Sequence, residues 1–383
     1  MFRNNNFNIV SAVILILILL FSLITVSAEQ SQDTSPSVSA RSAALYQPDT
    51  KRFVFTKNSK QRMPMASTTK IMTALVALEN LGSLDEAVEI DGSAVGTEGS
   101  SAYLKLGDVV TAEELLYALL LQSANDAAVA LAIHIGGDVE TFADMMNERC
   151  EKIGLSDTHF TNPHGLDDKE HYTTAEDLSK IAAEAMDNEI FCAIASTYKK
   201  TLRDEQRQRT YVNHNKLLNL YDGACGVKTG YTDEAGRCLV GAAEKDGVRL
   251  ISVTLDAPSD WQDHKKMLDF GFSCFTCKTL AEVYEYSYDI PIIDKNGETV
   301  RVTNTHELSV VFEGDIGQIK KNVKLPKFIS HSLKKGDVIG SVDFTADGET
   351  IGSVSICVTE DVTVKEQKEN IFSRIFRRIF IKD

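Results

Sequence analysis

Met65-Ala66-Ser67-Thr68-Thr69-Lys70 is the stretch on which the fold and chemistry of this chain turn. Ser67 and Lys70 stand three residues apart, which on a helix puts both side chains on one face. A serine hydroxyl is a poor nucleophile at neutral pH and needs a base beside it. A lysine serves when burial or neighbouring cations lower its pKa. Two further motifs follow. Ser123-Ala124-Asn125 interrupts two apolar helical runs. It is either a helix break capped by polar side chains or a working pair. In the second reading Ser123 relays a proton to a leaving amine, and Asn125 holds the lysine and the substrate backbone. Lys228-Thr229-Gly230 ends a strand candidate. It is either a strand edge carrying a lysine or a cation and a hydroxyl that face a substrate carboxylate. Gly230 would then let the substrate lie close against the strand. Each motif alone is short and common. Their order and spacing, SxxK then SxN then KTG, select the chemical reading.

Working outward, apolar residues recur at helical intervals over 69–81, 111–121, 124–135, 139–153 and 174–186. Gly82, Gly136-Gly137 and Gly154 end three of these runs. Thr111 with Glu114 makes a capping box, and Thr174 with Asp177 a cap and first-turn acid. Residues 43–46 and 52–56 read as short strands on either side of a turn containing Pro48-Asp49. Residues 223–230, 236–243 and 248–255 read as three adjacent antiparallel strands, with Lys245-Asp246-Gly247 as a hairpin signal. Residues 261–270 are expected to close a helix over the sheet. The predicted fold class is α+β: an antiparallel sheet flanked by helices, most of them inserted as a block.

The two ends differ from this body. Residues 9–26 are almost wholly apolar and lead to Ala28 and Glu29, so 1–28 reads as a secretory signal peptide, with an uncleaved anchor as the alternative. Residues 29–277 are then the catalytic domain, opening on a polar leader over 29–39. From about 280 short strands alternate with turns such as Lys295-Asn296-Gly297 and Asp347-Gly348-Glu349, giving a small all-β domain over 280–362. Over 365–383, Ile371, Phe372, Ile375, Phe376, Ile379 and Phe380 form one helical stripe, with Arg374, Arg377, Arg378 and Lys382 largely elsewhere. Such a helix sinks its stripe into a membrane surface while its cations meet lipid phosphates; docking on the acidic body is the other reading. It is too short and too charged to span.

The net charge of −15 argues against nucleic acid as a partner, because phosphate contacts need Lys and Arg. The seven cysteines are odd in number and irregular in spacing, so this is not a small disulfide scaffold, although an exported chain could still form one or two bridges. A lone Cys274-x-x-Cys277 does not make a metal site, and buried free thiols are the preferred reading. No HExxH, phosphate loop or dinucleotide fingerprint is present, so no metal and no cofactor is expected.

Two further stretches carry a resemblance. They are Thr158-His159-Phe160-Thr161-Asn162-Pro163-His164-Gly165-Leu166-Asp167 and His171-Tyr172-Thr173-Thr174-Ala175-Glu176-Asp177-Leu178. With the three motifs, they resemble the low-molecular-mass penicillin-binding proteins of the D-alanyl-D-alanine carboxypeptidase family, over about residues 38–275. The resemblance implies a β-lactamase/transpeptidase-like catalytic domain, and the β-rich region is similar in type to the family's C-terminal domain. It implies Ser67 as the acylated nucleophile, Lys70 as general base, and Ser123 and Asn125 as the rest of the proton network. Lys228 and Thr229 would receive the substrate's terminal carboxylate beside Gly230. The backbone N–H groups of Ser67 and Tyr231 would form the oxyanion hole. His164 and His171 read as structural or loop-positioning. The implied substrates are peptidoglycan stem peptides, with β-lactams as covalent inhibitors. A DD-endopeptidase is the alternative, and a non-enzymatic wall-binding protein a remoter one. The interval 158–167 lacks the glutamate that a class A β-lactamase would use for deacylation.

Overall fold

Alternation along the strands decides the layering. In Ser42–Gln47, Ala43 and Leu45 join one buried cluster with Val248, Leu250, Met267 and Leu268, while Ala44 and Tyr46 join another with Ile251, Val253 and Val240. Period-2 side chains thus feed both faces of one sheet, and each Val, Leu, Ile or Met side chain so buried is worth roughly 1.5–3 kcal/mol. The computed structural model describes residues 35–203, 208–293, 295 and 297–364; the expected signal peptide and the amphipathic tail lie outside them. The elements below all fall in one unit, Val38–Asp383.

The main sheet runs Arg52–Lys57, Ser42–Gln47, Val248–Leu255, Gly236–Lys245, Ala224–Thr232, antiparallel throughout. The expected hairpin is present: Lys245 pairs with Val248, and Asp246 and Gly247 turn between them at φ 48° and 77°. Both values are positive, as a two-residue turn that matches strand twist requires. The closing helix, Asp260–Cys274, is four residues longer at its C-terminal end than the apolar pattern suggested. On the other face stand Lys70–Asn80, Ala112–Leu121, Asn125–Gly136, Val139–Ile153 and Ala175–Asp187. Thr111 Oγ1 accepts from Glu114 N at 3.2 Å and Thr174 Oγ1 from Asp177 N at 3.1 Å, so both threonines cap their helices, while the Glu114 carboxylate turns to Arg209 and Tyr211.

Some elements were not anticipated. The antiparallel strand pairs Ala87–Glu89 with Val109–Thr111 and Lys199–Arg203 with Gln208–Val212 are short and largely exposed, with no apolar run to betray them. The first predicted helix begins instead with a 3-10 turn, Ala66–Thr69. The seven cysteines are free, but only Cys150, Cys238 and Cys357 are buried. Cys192, Cys225, Cys274 and Cys277 are partly exposed, which corrects the expectation of uniformly buried thiols: Cys274 ends a helix and Cys277 lies on a strand with one partner.

Phe275–Ala281 pairs with Leu308–Glu313 as a two-stranded sheet. A five-stranded sheet follows, in the order Ser287–Pro291, Thr299–Thr303, Glu349–Val358, Val338–Ala346, Lys320–Lys324. Val300, Val302, Val342, Phe344, Val354 and Ile356 form its apolar core.

Candidate active site

The site is assembled from three elements. The 3-10 turn carries Ser67 and hands Lys70 to the first turn of Lys70–Asn80. The break between Ala112–Leu121 and Asn125–Gly136 carries Ser123 at φ 62° and Asn125 as the first helical residue. The edge strand Ala224–Thr232 carries Lys228 to Tyr231.

Lys70 is the hub and is fully buried. Its Nζ lies 3.0 Å from Ser67 Oγ, 2.6 Å from Asn125 Oδ1 and 2.5 Å from the His164 carbonyl oxygen. Burial, followed by the charge of Lys228, holds its pKa well below the usual lysine value, with Asp126 opposing. Lys228 is 1% exposed, and burial pulls its pKa down to about 7. Its Nζ donates to the Thr229 carbonyl at 2.9 Å. Asn125 is anchored on its other side, Nδ2 to the Glu98 carbonyl at 2.5 Å and backbone N to Ser100 O at 2.7 Å. Asp126 accepts from Ser101 Oγ, Ala102 N and Leu104 N, tying residues 98–104 to the same helix.

Gly230 has a reason within the protein itself, beside the one expected from the sequence. A Cβ there would lie 3.0 Å from Ser67 N and 3.1 Å from both Ala66 Cβ and the Met65 oxygen. The close approach is between the strand and the nucleophile's own turn, before any substrate enters.

A cavity of about 400 Å³ opens over this arrangement, and Ser67, Ser123, Thr229, Gly230 and Tyr231 line it. Lys70, Asn125 and Lys228 do not; they stand behind its wall. No hydrogen bond among the described residues joins Ser123 to Ser67 or Lys70. Sequence reasoning missed Ser100, His214, Lys216, Arg237, Cys238, Asp260 and Trp261, which complete the lining. One signal was available. Arg237 pairs across the hairpin with Tyr231, so it shares a sheet face with Tyr231 and Thr229. Asp260 grips its guanidinium, Nη2 to both carboxylate oxygens at 2.8 and 2.9 Å and Nε at 3.1 Å.

Residues 28–259 match the family model described as D-alanyl-D-alanine carboxypeptidase. The chain belongs to that family. Residues 275–364 match a second model, the C-terminal domain of penicillin-binding protein 5. The chain is 32% identical to the D-alanyl-D-alanine carboxypeptidase DacF of Bacillus subtilis, over 84% of its own length and 86% of the relative's. It is 33% identical to DacA of Haemophilus influenzae, over 89% and 90%. Among solved structures, penicillin-binding protein 5 from Haemophilus influenzae superposes with a TM-score of 0.62 at 30% identity, covering 86% of this chain and 99% of that one. The Streptomyces K15 DD-transpeptidase superposes at 0.60 with 36% identity, over 62% of this chain and 99% of that one. The fold is the α+β fold of this family with a separate C-terminal β domain, and carboxypeptidase-type activity on D-Ala-D-Ala termini is the family's chemistry.

Proposed function

We propose that this chain is a serine-type D-Ala-D-Ala carboxypeptidase that trims peptidoglycan stem pentapeptides through an acyl-enzyme on Ser67. The observation that carries the reading is the 3.0 Å contact between Ser67 Oγ and a fully buried lysine amine whose pKa is depressed. A neutral amine has two N–H donors and one lone pair. The Asn125 and His164 oxygens can take the two N–H groups, leaving the lone pair for the serine proton.

In the proposed path Ser67 Oγ gives its proton to Lys70 Nζ and attacks the carbonyl of the penultimate D-alanine. The oxyanion meets the N–H groups of Ser67 and Tyr231, donors aimed at charge that exists only in the intermediate. The C–N bond then breaks, and the leaving amine takes the proton that Lys70 received, relayed by Ser123, so that Lys70 is neutral again. Water, deprotonated by Lys70, attacks the ester, and Ser67 leaves with its proton restored. Lys228 supports the electrostatics of the site; its Nζ makes one hydrogen bond, to the Thr229 carbonyl, and keeps further N–H groups for the substrate's terminal carboxylate. Thr229 and Arg237, on one sheet face, are the groups offered to the terminal carboxylate. β-Lactams acylate the same serine. Residues 1–28 export the chain, and residues 371–382 attach it to the outer face of the cytoplasmic membrane. A variant lacking 370–383 should then leave lipid vesicles while still turning over soluble peptide.

The test is D-alanine release from a pentapeptide ending in D-Ala-D-Ala, beside Ser67→Ala, with mass spectrometry after penicillin. Release by the wild type, with an adduct on Ser67 that Ser67→Ala lacks, supports the reading. An adduct without release moves it to the cross-link-cleaving endopeptidase. Folded protein giving neither sinks the catalytic claim.

A further inference from the structure

The path above leaves unused a buried imidazole next to the nucleophile's turn. His171 is 3% exposed, and its ring stands edge-on to Phe160 at 5.6 Å between centroids. Its Nδ1 lies 3.1 Å from the Thr161 backbone nitrogen. A backbone N–H can only donate, so Nδ1 is the acceptor and the ring hydrogen sits on Nε2. Nε2 is 2.8 Å from Thr69 Oγ1 and donates to it. Thr69 Oγ1 passes its own proton toward the Ala66 carbonyl oxygen at 2.8 Å. The direction of every bond in this chain, from Thr161 to Ala66, is set by that first N–H. Burial agrees with it, pulling the imidazole down to about 4 and keeping it neutral at pH 7.

The Ala66 carbonyl and the Ser67 N–H belong to one planar trans peptide and point in opposite directions. Fixing the oxygen therefore aims the N–H. The turn does not hold that direction by itself: Ala66 sits at φ 48°, a region that residues with a Cβ rarely adopt. Gly165, at φ 90°, backs the same carbonyl so closely that a Cβ there would overlap the Ala66 oxygen.

We propose that His171 is a positioning residue, which through Thr69 orients the Ala66–Ser67 peptide so that the Ser67 N–H meets the oxyanion. The proposal rests on Ser67 being the acylated nucleophile. Its effect falls on the tetrahedral state and leaves ground-state binding alone.

The experiment uses the full chain and compares His171→Phe, His171→Gln and Thr69→Val. It reads the penicillin acylation rate constant and dissociation constant separately by stopped flow. It also reads the affinity of a peptidyl boronic acid, which becomes tetrahedral on serine. His171→Phe should slow acylation and weaken the boronate by about 10- to 100-fold, less than the loss of a whole oxyanion donor, with the penicillin dissociation constant within about two-fold. Thr69→Val should match it, and the double variant should be no slower than either, since both cut one chain. His171→Gln, which keeps a donor near the Nε2 position, should recover to within about five-fold of wild type. Wild-type acylation by His171→Phe, no recovery by a folded Gln variant, or a dissociation constant that rises in step with the lost rate would each overturn the proposal. If the Phe variant fails to fold, Thr69→Val and His171→Gln decide it. A wild type that never acylates on Ser67 would overturn the parent reading, and this one with it.

Discussion

The catalytic centre and the C-terminal β domain solve opposite problems. In the β domain, Val300, Val302, Val342, Phe344 and Ile356 are buried, and charges such as Lys324 and Arg301 stay exposed. In the centre, two lysines are almost completely buried with no carboxylate bonded to either amine among the described residues. Burying a cation without a partner costs several kcal/mol unless it sheds its proton. The β domain keeps its charges in solvent, whereas the centre gives up stability to hold two amines at depressed pKa values.

The largest effect that could break this contrast comes from Lys228→Met. Acylation by penicillin should fall by about 100-fold or more, yet Tm at pH 7 should rise. The sign follows from linkage. Lys228 holds a pKa of about 7 when folded, against 10.5 ordinarily. The unfolded chain therefore binds the extra proton between these values, and this contribution to stability grows with pH across that window. Melting curves from pH 7 to 10 should lose that slope in the variant. A lower Tm throughout would sink the idea that the lysine is a cost. The residual acylation should also have its acid limb moved to higher pH, because the Lys228 charge no longer depresses Lys70.

Ile356→Ala is the mirror experiment. Removing this fully buried side chain should cost about 2–5 kcal/mol by denaturant titration, and kcat on soluble peptide should not change. A matching loss of activity would join the two regions functionally. A comparable effect, set by pH, concerns three histidines on the catalytic side. His164, His171 and His264 are held at about 3, 4 and 3 by burial. As pH falls from 6.5 toward 4 the unfolded chain takes up protons that the native chain refuses, and each costs about 1.4 kcal/mol per pH unit. Calorimetry across that range should show Tm dropping, and His264→Gln should remove one share. Lys324→Ala should do least. Its 2.6 Å ion pair with Asp343 has a lysine that is 63% exposed and a carboxylate that is 13% exposed, and losing such a half-solvated pair should move the denaturant midpoint no more than about half as far as Ile356→Ala does.

Legibility in the sequence was uneven for physical reasons. Val139–Ile153 and the Asp246-Gly247 turn could be read because period and turn chemistry are local properties. The 3-10 turn at Ala66–Thr69 was invisible, since a positive φ at an alanine follows no local pattern, and Gly165 and Gly230 from distant parts of the chain pack against it. Of the site, the SxxK, SxN and KTG residues were nameable from order and spacing. Arg237 could have been reached from its place opposite Tyr231 in the hairpin, but Asp260 and Trp261 could not, because only the tertiary structure shows that a helix start shares a wall with Ser67.

The sequence by itself determined the layered α+β class, the three motifs, two helix caps and a hairpin turn, all of which depend on residues near one another along the chain. Only the tertiary structure decided which charges are buried, and hence that Lys70 and Lys228 are weakened as cations. It also decided the tautomer of His171 and the reason for Gly230. Those properties follow from the distance and solvent exclusion between segments tens to more than a hundred residues apart, and no local pattern encodes them.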